Sequence, residues 1–65
     1  MIKLTRLNGE MVVVNPDLIE TLEIQHNVTV ALTTGRHITV LETADTIMDA
    51  IRHWRQSVMN TYQER

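Results

Sequence analysis

Apolar and polar residues change period once along this chain. Up to residue 41 they alternate in short runs, the two-residue period of strands; from residue 43 they recur every three or four residues, the period of a helix. In the second segment Ile47, Ile51, Trp54, Val58 and Tyr62 follow one another at helical spacing with Met48 and Met59 beside them, so one helix face is apolar. A short sheet needs cover on its apolar face, and this helix supplies it.

The strand segment divides at its turn residues. Residues 2 to 7 alternate, and Asn8-Gly9 follows, the pair favoured in a type I′ hairpin because both central residues need positive φ. The return strand, residues 10 to 14, contains Met11-Val12-Val13-Val14, apolar on both faces, which in so small a chain points to an interface with another copy. Asn15-Pro16-Asp17 breaks the pattern and predicts a tight turn or one turn of 3₁₀ helix. In residues 18 to 25, parity places Leu18, Leu22 and Ile24 on one face with Glu20, and favours Leu22 and Ile24 as inward. His26-Asn27 predicts a turn, residues 28 to 33 put Val28, Val30 and Leu32 inward, Thr34-Gly35 turns again, and residues 36 to 41 put Ile38 and Val40 inward. Strands three to five therefore read as a meander of hairpins.

Thr43 is placed to cap the helix, Asp45 and Asp49 lie early in it and Arg52 and Arg55 later, an order that complements the helix dipole. Asp49 and Arg52 form a favourable i, i+3 pair. A helix over residues 43 to 62 is about 28 Å long against about 17 Å for a five-residue strand, so its end overhangs the sheet. The reading is one α+β domain over residues 1 to 65: a small antiparallel five-stranded sheet, a β-meander over residues 1 to 41, followed by one C-terminal amphipathic helix over residues 43 to 62.

Composition narrows the picture. A chain of 65 residues buries only about 60% of its unfolded surface. Small scaffolds of this size need a further constraint, and without cysteine that constraint is not a disulfide or a thiolate zinc site. Self-association is what remains. A formal net charge of −2 supplies no global attraction to nucleic acid or anionic membrane. The alternating N-terminus lacks a signal-peptide core and no segment approaches about 20 apolar residues, so the chain reads as cytoplasmic and without a transmembrane segment.

Candidate chemistry is sparse. His26, His37 and His53 fall on a turn, a strand and a helix, without local metal-binding spacing, and no nucleophile, base and acid pattern or phosphate-cradling glycine loop occurs. No enzyme, metal or cofactor is expected. Trp54 lies on the apolar stripe, which favours core or subunit interface over a free stacking role. Lys3, Arg6 and Arg36 form a basic strip if the first and fifth strands are neighbours; a solvated edge is the simpler reading.

Three blocks carry a resemblance: residues 1 to 10 (Met-Ile-Lys-Leu-Thr-Arg-Leu-Asn-Gly-Glu), residues 14 to 23 with Val14-Asn15-Pro16-Asp17, and Leu32-Thr33-Thr34-Gly35-Arg36. Together, across residues 1 to 52, they resemble the FlbD/SwrD family of small flagellar, swarming-motility proteins, distinct from the transcriptional regulator also called FlbD. The resemblance implies a non-enzymatic motility factor that acts by protein contact, plausibly supporting motor power through the stator, and locates the chain in the cytoplasm near the motor at the inner membrane. It transfers no established functional residues. The candidate oligomer interface, from the apolar pattern, is Met11, Val12, Val13, Val14, Ile51, Trp54, Val58 and Tyr62; candidate outward partner contacts are Arg6, Asn8, Asp17 and Glu20, of which Asn8 and Asp17 also suit turn-shaping.

A second similarity is to the carbon storage regulator family, dimeric RNA binders with five short strands and a terminal helix, through Leu4-Thr5-Arg6 and Gly9-Glu10. That family uses an arginine at the end of its fifth strand, where this chain has Leu41-Glu42-Thr43. The replacement removes a nucleic-acid contact and adds a negative charge, leaving Arg6 as the matching position.

Overall fold

A computed structural model describes the backbone of residues 1–63 and the side chains of residues 1–58. Its elements are β1 (Ile2–Thr5), β2 (Met11–Val14), a 3₁₀ turn (Pro16–Leu18), β3 (Ile19–Ile24), β4 (Val28–Leu32), β5 (His37–Val40) and α1 (Ala44–Gln63). The architecture is α+β, with all strand pairs antiparallel. The five strands divide into a β1-β2 hairpin and a β3-β4-β5 meander. Between them runs one isolated antiparallel bridge, Arg6 to Val40, beside a hydrogen bond from Leu41 N–H to Thr5 O of 2.8 Å. The hairpin and the meander therefore meet at one corner, where the end of β1 approaches the end of β5, and do not form one continuous sheet.

Two hairpins use the same loop. In the first, Arg6 N–H donates to Glu10 O at 2.8 Å and Gly9 N–H donates to Arg6 O at 2.9 Å, leaving Leu7-Asn8-Gly9 as a three-residue loop. In the second, Leu32 N–H donates to Arg36 O and Gly35 N–H to Leu32 O, both at 2.9 Å. Each is a turn closed by a glycine of positive φ, 91° at Gly9 and 96° at Gly35. The expected type I′ turn at Asn8-Gly9 is thereby corrected: Asn8 keeps a negative φ, and its side-chain Oδ1 instead accepts from Glu10 N–H at 3.0 Å. After β2, Asn15 Oδ1 accepts from Asp17 N–H at 3.0 Å and Pro16 opens the 3₁₀ turn, as the Asn-Pro-Asp sequence leads one to expect.

Strand β3 departs from simple parity. Ile19 pairs with Leu32 and Thr21 with Ala31, so Glu20 is the extra residue of a β-bulge. Past the bulge the faces exchange, and Ile19 and Leu22, three apart, both pack on the core. Leu22 is inward as expected, but Ile24, expected inward and the last residue of β3, is 67% exposed, and Leu18, in the 3₁₀ turn before the strand, is exposed as well.

The core is shared by both sheets and the helix: Ile2 and Leu4 of β1, Val14 of β2, Val28, Val30 and Leu32 of β4, Ile38 and Val40 of β5, and Ile47 of α1. The inward residues expected on β4 and β5 are all buried. Thr43 caps α1, its Oγ1 accepting from Thr46 N–H at 3.1 Å. Asp49 and Arg52 pair at 2.6 Å on the outer face. Burial falls along the apolar stripe: Ile47 is fully buried, Ile51 and Trp54 are partly buried, and Val58 is 43% exposed. The overhanging helix draws the molecule out to 42 × 21 × 19 Å, with a radius of gyration of 12.6 Å against about 11 Å for a compact chain of this length.

Candidate interaction surface

Antiparallel pairing determines what β2 presents. Arg6 and Glu10 form a hydrogen-bonded pair, so going along the ladder Thr5 and Met11 form a non-bonded pair, Leu4 and Val12 a bonded one, and Lys3 and Val13 a non-bonded one. The backbone N–H and C=O of Met11 and Val13 therefore point away from β1, toward the outer edge. Their side chains stand on the outer face, 63% and 53% exposed, beside Lys3 and near an equally open Met1. Val12, facing inward, is partly buried against the core, and Val14 is only 4% exposed within it. Of the four residues expected at an interface on this strand, two are free on the surface of a single chain.

The helical members are distributed likewise. Ile51 and Trp54 pack partly against their own core, Val58 is open, and the side chain of Tyr62 lies outside the described residues. Near Val58 the Arg55 guanidinium stands 3.6 Å from the Asp17 carboxylate and 5.9 Å from the centre of the Trp54 ring. This joins the 3₁₀ turn to the helix across a solvated gap. Asp17 thus faces the helix, while Asn8 shapes its own turn, Glu20 projects from the bulge into solvent and Arg6 sits half-buried at the sheet corner. These four outward candidates do not converge on one site.

At that corner Thr5 N–H donates to Glu42 Oε1 at 2.9 Å and Thr5 Oγ1 donates to Oε2 at 2.8 Å. Burial raises the Glu42 pKa, but the two hydrogen bonds from Thr5 and one from its own N–H outweigh it and hold the carboxyl below its ordinary value. Nothing local in the sequence marks Glu42 for this bond beyond its being a lone acid between the last strand and the helix cap. The corner also decides the geometry of the basic residues. Because the Arg6 to Val40 bridge is antiparallel, Lys3 lies three residues to one side of it and Arg36 four to the other, about 23 Å apart along straight strands. Although β1 and β5 are neighbours, the three cations form no compact strip.

Over residues 1–59 the chain matches the model of FlbD, the flagellar and swarming motility proteins. The chain belongs to the FlbD family. The matched span takes in both sheets, the Glu42 corner and the helix through Val58, so the elements that build the surface described above are family elements. No curated protein and no solved structure matches the chain. FlbD membership associates it with flagellar or swarming motility and suggests a non-catalytic accessory role. Among the described residues, no helix is long and apolar enough to cross a membrane.

Proposed function

We propose that this FlbD-family chain is a non-enzymatic accessory protein of flagellar motility that works by protein contact and supports motor power through the stator. The observation that carries the reading is the family match over residues 1–59. The exposed pair Met11 and Val13 supports contact as the mode of action, since a charged or polar side chain would serve solubility better at both positions. In this reading the protein acts from the cytoplasmic side of the motor, as a homo-oligomer. Met11, Val13 and Val58 are the apolar contact residues, and Asp17, Glu20 and Arg6 are separate polar contacts elsewhere on the surface.

The test is deletion of the gene in its motile host, with flagellar filaments counted and rotational torque measured on the same cells. Normal filament number with reduced torque is the expected result, restored by the wild-type chain. Fewer filaments would overturn stator support in favour of control of assembly or of expression, the latter including RNA binding. Unchanged filaments and torque would remove the motility reading itself.

A further inference from the structure

We infer that β2 is a self-association edge, on which a second copy of this chain adds its own β2 antiparallel about a two-fold axis through Val12. Hydrogen bonding gives β2 and β3 a neighbour on one side only, while β1 and β5 meet each other only through the single bridge at their ends. Unpaired edges are ordinarily blunted by charge, proline or a bulge. Strand β3 carries such devices: the bulge at Glu20 interrupts its line of backbone groups, and the exposed Glu20 and Glu23 set negative charge along it. Strand β2 has none of them. Its four residues, Met11-Val12-Val13-Val14, contain no charge, glycine or proline, and its register with β1 is unbroken.

The chemistry of β2 selects a second copy over another kind of strand. The outward backbone groups belong to Met11 and Val13, so the symmetric register that uses all of them places Met11 of each copy opposite Val13 of the other. This closes four main-chain hydrogen bonds and leaves Val12 facing Val12 across the axis. No like charges meet, because the nearest cation, Lys3, is one strand removed and Glu10 falls opposite Val14. The exposed Met11 and Val13 of one copy then flank those of the other on the outer face, joining two small apolar spots into one patch across the two β2 strands, bordered on each side by Lys3 and Thr5 of β1. Short paired strands make a small interface, so the dimer is reversible. It gives a form to the homo-oligomer of the proposed function but does not depend on the motility role: a chain that dimerises through β2 while its deletion leaves torque unchanged overturns only that role, and a monomeric chain whose deletion lowers torque overturns only the dimer.

Sedimentation velocity on the full chain from micromolar to millimolar concentration tests it, with circular dichroism confirming that each variant is folded. The wild-type chain is expected to pass from monomer to dimer. The double substitution Met11→Lys with Val13→Lys sets lysines directly opposite one another in the inferred register and is expected to weaken dimerisation about tenfold or more. Met11→Lys with Val13→Glu sets opposite charges across the same pairs and is expected to restore it. Met11 and Val13 are exposed in a single chain, and because Val13 also pairs with Lys3 of its own β1, circular dichroism melts of both double variants separate an effect on the hairpin from one on the dimer. A monomer at every concentration overturns the inference, as does a dimer indifferent to the lysine pair, or one that the lysine–glutamate pair fails to restore.

Discussion

Glu42 completes the hydrogen bonding of Thr5, accepting its backbone N–H at 2.9 Å and its hydroxyl at 2.8 Å. Thr5 C=O already takes Leu41 N–H at 2.8 Å, and in a continued ladder Thr5 N–H would donate back to the Leu41 carbonyl, one residue past β5. By then the chain has turned toward the helix cap at Thr43, and the Glu42 side chain stands in for the missing strand. Glu42→Ala is therefore expected to destabilise the fold by about 1–2 kcal/mol and Thr5→Val by about 1 kcal/mol. The double variant should cost less than the sum, a coupling that urea denaturation of the four chains measures directly.

The same contact makes a small pH dependence. Glu42 has a folded pKa below its unfolded value, so its contribution is fully present above the unfolded carboxylate range, about pH 5, and is lost as pH falls through the folded pKa. Wild-type stability is expected to decline over that acid interval more steeply than that of Glu42→Gln. Parallel denaturation midpoints for the two chains between pH 6 and pH 3, roughly the span of carboxylate titration, would contradict it.

Gly9 and Gly35 occupy equivalent loop positions with φ of 91° and 96°, and a Cβ at either would meet nothing within 4 Å. Alanine there costs backbone strain alone, about 1 kcal/mol at each site, and asparagine less. Thermal melts of the alanine and asparagine variants should rank in that order at both positions.

Along the helix the cost of truncation should follow burial. Ile47→Ala, at a fully buried site, is expected to cost about 2–4 kcal/mol, enough to unfold much of so small a chain, whereas Val58→Ala should fall within about 0.5 kcal/mol of wild type. Thr43→Ala, which removes the cap, should cost about 1 kcal/mol and Thr43→Ser far less. Chemical denaturation of the set, read by far-ultraviolet circular dichroism, gives the ranking.

Asp17 and Arg55 are 3.6 Å apart and both more than half exposed, so their ion pair is worth little. A double-mutant cycle with Asp17→Asn and Arg55→Gln should yield a coupling below about 0.5 kcal/mol that vanishes in high salt. Asp17→Asn is thus a clean probe of contact in motility assays, since any loss of torque it causes is not a loss of fold.

What the sequence determined by itself was local. The three-to-four spacing from Ile47 onward specifies the helix, Thr43 its cap, alternation the inward faces of β4 and β5, and Asn15-Pro16 the 3₁₀ turn, because each depends on residues within a few positions of one another. The family, too, was legible in its three blocks. Tertiary structure alone decided the rest. The bulge at Glu20 brings Ile19 and Leu22 to one face, and pairing with β4 imposes it, whereas counting by twos along β3 separates them. The bond between Glu42 and Thr5 spans 37 residues and exists only because β1 meets β5 at a corner. That Val14 is core while Met11 and Val13 are surface follows from which face of β2 the shared core lies against, since the sequence is apolar on both.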